Sequence, residues 1–141
     1  MEINEKIINL IYDNLLDEAK SLIVSNRPIN LNYIGKNGRT PLLMAINKNQ
    51  IDFTEFLIIS GADVNYTEAY ILPLEEAIET AANKLDFSKN KKLDISVIQL
   101  LLKYHADVKQ KDRENETPLI FLKRYFGFDN MQEFIEHYSQ G

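Results

Sequence analysis

The sequence predicts an all-α solenoid made of repeated helix–turn–helix units, and two short segments carry this prediction. Residues 38–42 (GRTPL) begin a helix: threonine offers an oxygen to the free N–H groups of the first turn, and proline stands where its missing N–H costs nothing. Residues 61–65 (GADVN) follow a helix end, because glycine takes the left-handed conformation without penalty. Both segments recur, so the unit between them is repeated.

The spacing of these recurrences gives the length of the unit. Residues 29–32 (INLN) return at 62–65 (ADVN), 33 residues later, and at 106–108 (ADV) after a further 44. Residues 41–42 (PL) return at 73–74 after 32 residues and at 118–119 after 45. One long interval in each series predicts an insertion of about a dozen residues in the third unit.

These motifs resemble the ankyrin repeat, a turn and two antiparallel helices in about 33 residues. The best match is residues 36–65, and the resemblance covers nearly the whole chain. It implies a single ankyrin-repeat domain over residues 1–141 with a non-catalytic, protein-binding role. Its repeats are expected near 1–33, 34–66, 67–111 with an insertion at 83–92, and 112–141, the first and last acting as caps.

The departures from the family pattern concern helix starts and ends. The histidine of the family's Thr-Pro-Leu-His motif is replaced by Leu43, Glu75 and Ile120, so its hydrogen bonds are absent. Leu72 replaces the capping threonine, which predicts a helix start weaker by about 1 kcal/mol. His105 stands where Gly61 stands one repeat earlier, and histidine tolerates a positive φ better than most residues.

Apolar residues at three-to-four spacing predict the helices in order. The first pair covers residues 3–13 and 16–25, with Asn26 ending the second helix in the left-handed conformation. Later helices are predicted at residues 41–48, 51–59, 73–82, 95–104 and 118–125, and a last one, begun by Asp129 or Asn130, contains Met131, Phe134 and Ile135.

Composition excludes several classes of function. The chain has 141 residues and no cysteine, which excludes disulfides and thiol chemistry, and its two histidines argue against a zinc site. A net charge of −5 argues against a nucleic-acid surface. No apolar run could span a bilayer, and the acidic start lacks the order of a signal peptide. We therefore expect a cytoplasmic protein with no cofactor, no metal, no nucleic-acid partner and no membrane partner.

The resemblance also implies where a partner binds. Ankyrin-repeat proteins bind with the concave face, formed by the turn fingers between repeats and the exposed side of each first helix. Tyr12 and Asp13 extend this row at its start, and Tyr33, Tyr66 and Tyr70 lie on or beside the fingers. Carried over position by position, the predicted partner-binding residues are Lys36, Asn37, Arg39, Asn47, Lys48, Glu68, Ile71, Glu79, Arg113, Glu116, Arg124 and Tyr125.

Each of these residues has a simpler interpretation as an ordinary solvated side chain. Ile71 could instead pack against the neighbouring repeat. Phe87, in the lysine-rich insertion, could anchor a partner or pin the loop to the helices. Glu75, Glu76 and Glu79 are close enough for acid–base chemistry, but the sequence shows nothing apolar or cationic to separate their pKa values.

The sequence therefore favours a protein, monomeric when free, that binds and masks a partner protein, as an inhibitor or an immunity protein does. Because the whole chain is accounted for by the repeats, occupation of a partner's surface is more natural than scaffolding. Two other classes stay open: a scaffold or self-associating structural protein, and a small enzyme on the same fold. A stable oligomer would favour the former, and a bound metal or cofactor the latter.

Overall fold

The structure, a computed structural model, describes residues 2–85 and 92–139. Helices are the regular elements of this part of the chain, and no strand occurs in it. The helices are α1 (Ile3–Tyr12), α2 (Leu16–Ser25), α3 (Pro41–Asn47), α4 (Ile51–Ile59), α5 (Pro73–Lys84), α6 (Ser96–Lys103), α7 (Pro118–Phe126) and α8 (Met131–Ser139).

The helices stack in two adjoining rows. The first helices α1, α3, α5 and α7 each pack on the next, and α4 packs on α6 in the second row. The rows join where α1 packs on α2, α3 on α4 and α5 on α6, while ring contacts of Phe134 join α8 to α7. One apolar core runs between the rows, from Ile7 to Phe134. The predicted all-α helical solenoid is confirmed.

The starts of the first helices follow the sequence closely. Thr40 Oγ1 accepts a hydrogen bond from the N–H of Leu43 at 3.1 Å, and Thr117 Oγ1 accepts one from Ile120 at 3.3 Å. Leu72 has no oxygen to offer, but its own N–H donates to Glu75 Oε1 at 3.0 Å. Half of a capping box therefore replaces the missing threonine at the start of α5.

The helix ends show one wrong prediction. Gly61 and His105 have positive φ values of 117° and 72°, as expected from their matching positions. Asn26 does not, because its φ is −119°. Its side-chain amide instead donates to the carbonyl of Leu22 at 2.8 Å, which gives one of the free carbonyls of α2 a partner without a left-handed residue. The left-handed conformation is found instead at Asn14 and Asn49, just after the ends of α1 and α3.

Asparagine links successive units. The N–H of Asp63 donates to Asn32 Oδ1 at 3.0 Å, and the N–H of Asp107 donates to Asn65 Oδ1 at 2.8 Å. The recurring INLN and ADVN segments thus hold neighbouring turns in register. The first and last fingers also close on themselves: the N–H of Gly35 donates to the carbonyl of Arg39 at 2.8 Å, and that of Asp112 to the carbonyl of Glu116 at 2.7 Å.

The predicted insertion lies largely outside the described residues. Its first two positions, Asn83 and Lys84, belong to α5, which runs two residues beyond its predicted end. Phe87 and the rest of residues 86–91 lie outside the described part, so the alternatives for Phe87 stay open. The repeat boundaries likewise stay predictions. None of the helices described is long and apolar enough to cross a membrane.

Candidate partner-binding face

The predicted partner-binding face, called the concave face, begins at the contact between α1 and α3. Lys48 Nζ lies 3.9 Å from the centre of the Tyr12 ring, a cation–π distance. Tyr12 is 58% exposed, and Asn47, next to Lys48, is half-buried. Two first helices therefore present one continuous surface at this end of the face, and its lysine is already held by an aromatic ring of the same chain.

The next step along the face joins the first finger to α5. Arg39 Nε donates to Glu76 Oε1 at 2.9 Å, and the side chain of Glu76 is only 2% exposed. The pKa of Glu76 is raised by burial, which the hydrogen bond and charge of Arg39 oppose. The ring of Tyr70 lies in van der Waals contact with the point where a Cβ on Gly38 would stand. Arg39 thus balances a buried carboxylate between two units.

The far end of the face joins α5 to α7. Tyr125 Oη donates to Glu79 Oε2 at 2.9 Å, and Arg124 pairs with Glu116 of the last finger. Burial and the hydrogen bond to Glu79 raise the pKa of Tyr125. Since the Tyr125–Glu79 contact crosses from one unit to the next, as those of Lys48 and Arg39 do, the row of first helices forms one connected polar surface.

The remaining predicted residues lie on the fingers. Arg113 Nη1 donates to the carbonyl of Glu68 at 3.2 Å, so two successive fingers contact each other. Asn37 Oδ1 accepts from the N–H of Arg39 at 3.1 Å, and the side chain of Lys36 is exposed. These finger residues extend the predicted partner-binding face, and their contact with a partner stays a prediction.

Ile71 does not belong to this surface. It is 4% exposed and is part of the apolar core, so packing within the fold, and not partner contact, is its place in the structure. Ile71 lies in the turn that leads into α5. Burial of its side chain is favourable because it removes apolar surface from water. The prediction that Ile71 contacts a partner is corrected accordingly.

The acidic residues of α5 also differ from the sequence analysis, which found nothing to separate their pKa values. Glu75 is fully buried, and burial raises its pKa to about 8; the hydrogen bond from the Leu72 N–H opposes this, while Asp112 and Glu116 add to it. Glu75 Oε2 is buried without a donor. The protonated form supplies its own hydrogen, and the adjacent Asp112 can accept it.

Glu76 was missed by the sequence analysis as a partner of Arg39, although a signal existed. Aligning the repeats places Glu76 opposite Met44 and Glu75 opposite Leu43, and both of these are buried. An acid in a buried column needs either a cation or a proton.

Within residues 2–85 and 92–139, histidine and acidic side chains form no group of three that could hold a metal ion.

Comparison with known proteins agrees with this architecture. Residues 37–69 match the family described as Ankyrin repeat. The chain is also similar to Inversin from mouse and from human, with 33% identity over 88 residues in each case, which is 62% of this chain and 7% of the relative. Inversin from chicken is 29% identical over 104 residues, 74% of this chain and 8% of the relative. The chain thus spans less than a tenth of the length of these relatives.

A helical solenoid with turn fingers and a connected face of first helices defines a repeat protein of the protein-binding class. The repeat motifs, the helix order and the match of residues 37–69 together confirm the more specific prediction of an ankyrin-repeat solenoid. Ankyrin repeats indicate a protein–protein interaction module.

Proposed function

We propose that this chain is a non-catalytic protein that binds one partner protein on its concave face and masks the surface it covers. The observation that carries the proposal is the exposure of three tyrosine rings along that face. Tyr12, Tyr70 and Tyr125 are 58%, 48% and 38% exposed, on α1, on the second finger and on α7. Tyrosine buries much area for little lost entropy, which makes it a frequent binding hot spot.

Masking is favoured over scaffolding because the face is continuous. Contacts join α1 to α3, the first finger to α5, and α5 to α7, so no gap divides the surface into two binding regions. A standard interface covers about 800 Å² per partner, which takes most of one face of a chain this size. One partner at a time, covered over a broad area, is the expected complex.

The test is partner capture from a lysate of the source organism, with two matched variants. The first changes Tyr12, Tyr70 and Tyr125 to alanine. The second changes Val24 and Ile59, exposed apolar residues of α2 and α4 in the second row, to alanine. We expect one abundant partner that the second variant retains. The triple variant should bind it at least about 30-fold more weakly, since a hot-spot residue contributes about 2 kcal/mol or more.

The activity of the captured partner then separates the alternatives. Masking predicts that the partner loses its activity, or its binding to its own targets, in the complex. A partner that stays active while a second protein binds the same complex indicates a scaffold. Retention by the triple variant, with loss by the second-row variant, would contradict the concave face. Sedimentation of the chain alone tests for self-association. Masking requires a monomer, or an oligomer that dissociates when the partner binds.

A further inference from the structure

The charged residues of the concave face are not balanced evenly. Arg39 is paired with the buried Glu76, and Arg124 is paired with Glu116. Glu79 lies on α5, between the two arginines in sequence, and its carboxylate accepts a hydrogen bond from the hydroxyl of Tyr125. The phenol is neutral, and the cation that acts on Glu79 is Arg39: burial lowers the pKa of Arg39, but its hydrogen bond to Glu76 and the charges of both Glu76 and Glu79 raise it overall. One arginine therefore faces two carboxylates.

Two further residues, Glu75 and Tyr70, do not neutralise the charge of Glu79. The neighbouring Glu75 is protonated at neutral pH, because burial raises its pKa to about 8, so it neither adds to nor balances the charge of Glu79. The carboxylate of Glu79 also raises the pKa of Tyr70, after the larger effects of burial and Glu76. Glu79 is half-buried, and salt screens such a charge less than a fully exposed one.

Two exposed aromatic residues interact with this carboxylate. Tyr125 donates its hydroxyl to Glu79, and the charge of Glu79 contributes, after burial and Glu76, to raising the pKa of Tyr70 on the second finger. Both rings are well exposed. A carboxylate beside aromatic faces suits a lysine or arginine side chain, whose methylene stem lies on the rings while its charged end meets the carboxylate.

Three cations of this face are already in contact with other side chains of the chain. Lys48 lies over the ring of Tyr12, Arg39 holds Glu76, and Arg124 holds Glu116. Lys36 and Arg113, on the fingers, stay open to an acidic partner group, whereas at Glu79 a basic group need only add to the bond from Tyr125. At Glu79 itself, the arrangement therefore favours a basic partner residue over an acidic one.

We propose that Glu79, hydrogen-bonded to Tyr125, binds a lysine or arginine side chain of the partner protein. This inference rests on the proposed function and specifies the chemistry of its contact. The probe is a library of random linear peptides displayed on phage, selected on the intact protein and on Glu79→Gln. Glutamine keeps an oxygen for the Tyr125 hydroxyl but removes the charge. Glu18→Gln on α2, an exposed acid in the second row, is the matched control.

We expect peptides selected on the parent protein and on Glu18→Gln to share lysine or arginine at one fixed position. Glu79→Gln should lose this preference and bind the best peptide about 10-fold more weakly or worse, as removal of one partner of a close charge pair does. Glu79→Lys should select aspartate or glutamate at that same position.

Three outcomes would overturn the inference. The first is a set of selected peptides with no fixed basic position, the second is a basic preference that survives in Glu79→Gln, and the third is no selected peptide at all. Partner capture with the tyrosine variant is a separate readout. A partner that binds the concave face without a basic residue at Glu79 leaves the proposed function in place and removes only this contact.

Discussion

Glu75 and Glu76 are adjacent in the sequence and both are buried, but their carboxyl groups have different partners. Glu76 meets Arg39, whereas Glu75 meets the N–H of Leu72 and the carboxylate of Asp112. Glu75 therefore holds a proton in the folded state at a pH where it is ionised in the unfolded chain. This difference makes stability depend on pH.

Glu75→Gln tests that dependence. The pKa of Glu75 is about 8 in the fold, against an ordinary value of 4.5. Below pH 4.5 both states hold the proton, so its stabilisation is fully present. Between pH 4.5 and 8 only the folded state holds it, and this group lowers the free energy of unfolding by up to about 1.4 kcal/mol per pH unit. Glutamine abolishes this contribution, as urea denaturation from pH 5 to 8.5 should show.

The control for this measurement is Glu114→Gln, an exposed acid of the last finger. The comparison should show the parent and the control losing stability in parallel as pH rises, while Glu75→Gln gains on them by at least about 1 kcal/mol near pH 8. An equal slope in all three proteins would mean that Glu75 is ionised in the fold.

Arg39→Ala tests the second carboxylate. Removing the arginine leaves Glu76 buried and unpaired, which costs about 3 kcal/mol for a pair of this kind. Chemical denaturation at pH 7 should show this loss, and it should shrink at pH 5, where Glu76 can take a proton. Arg113→Ala, which removes only an exposed bond to the carbonyl of Glu68, should change stability by less than about 0.5 kcal/mol. Equal losses in both would rule out a structural role peculiar to Arg39.

The binding face also shows what could not be predicted from the sequence. The pattern of repeats predicts a row of first helices, in which Lys48 contacts Tyr12 and Tyr125 contacts Glu79 across neighbouring units. It cannot distinguish a residue that faces solvent from one that turns inward within a finger, and Ile71 turns inward. Nor does spacing reveal that Arg39 is committed to Glu76, which lies 37 residues away.

At the scale of the helix, the capping threonines should contribute unequally. Thr40 is buried and accepts the Leu43 N–H at 3.1 Å, while Thr117 is less buried and accepts the Ile120 N–H at 3.3 Å. Thr40→Ala leaves a buried donor without a partner, so we expect a loss of about 1–2 kcal/mol, with less for Thr117→Ala. Thermal and urea denaturation of the two variants give the order, and the reverse order would contradict this account of the caps.

Helix starts could be predicted from sequence because threonine and proline act within one turn. Helix ends were harder to predict, because asparagine can end a helix in the left-handed conformation or through a side-chain hydrogen bond. Asn26 satisfies Leu22 with its side chain, whereas Asn14 and Asn49 take positive φ. The end of α5 was underestimated because its sequence contains no glycine near residue 82.

At the scale of the molecule, each helix packs mainly on its neighbours along the stack, so stability should be transmitted from unit to unit. Phe134 is fully buried in α8, with its ring centre 5.1 Å from that of Phe126 and 5.0 Å from that of Tyr138. Phe134→Ala should cost about 3–5 kcal/mol locally. Ile78, also fully buried, belongs instead to α5, the helix that packs on α3, α6 and α7.

Amide hydrogen exchange should separate these two positions. In Phe134→Ala, we expect amides of α7 and α8 to lose protection while those of α1 to α4 keep it, because the lost contacts stabilise one end of the stack. Ile78→Ala should lower protection on both sides of α5, since it weakens the unit that joins them. If Phe134→Ala instead lowers protection evenly from α1 to α8, the chain unfolds as a single cooperative unit. A partner covering the concave face would then stabilise every helix equally, and not only the helices that it contacts.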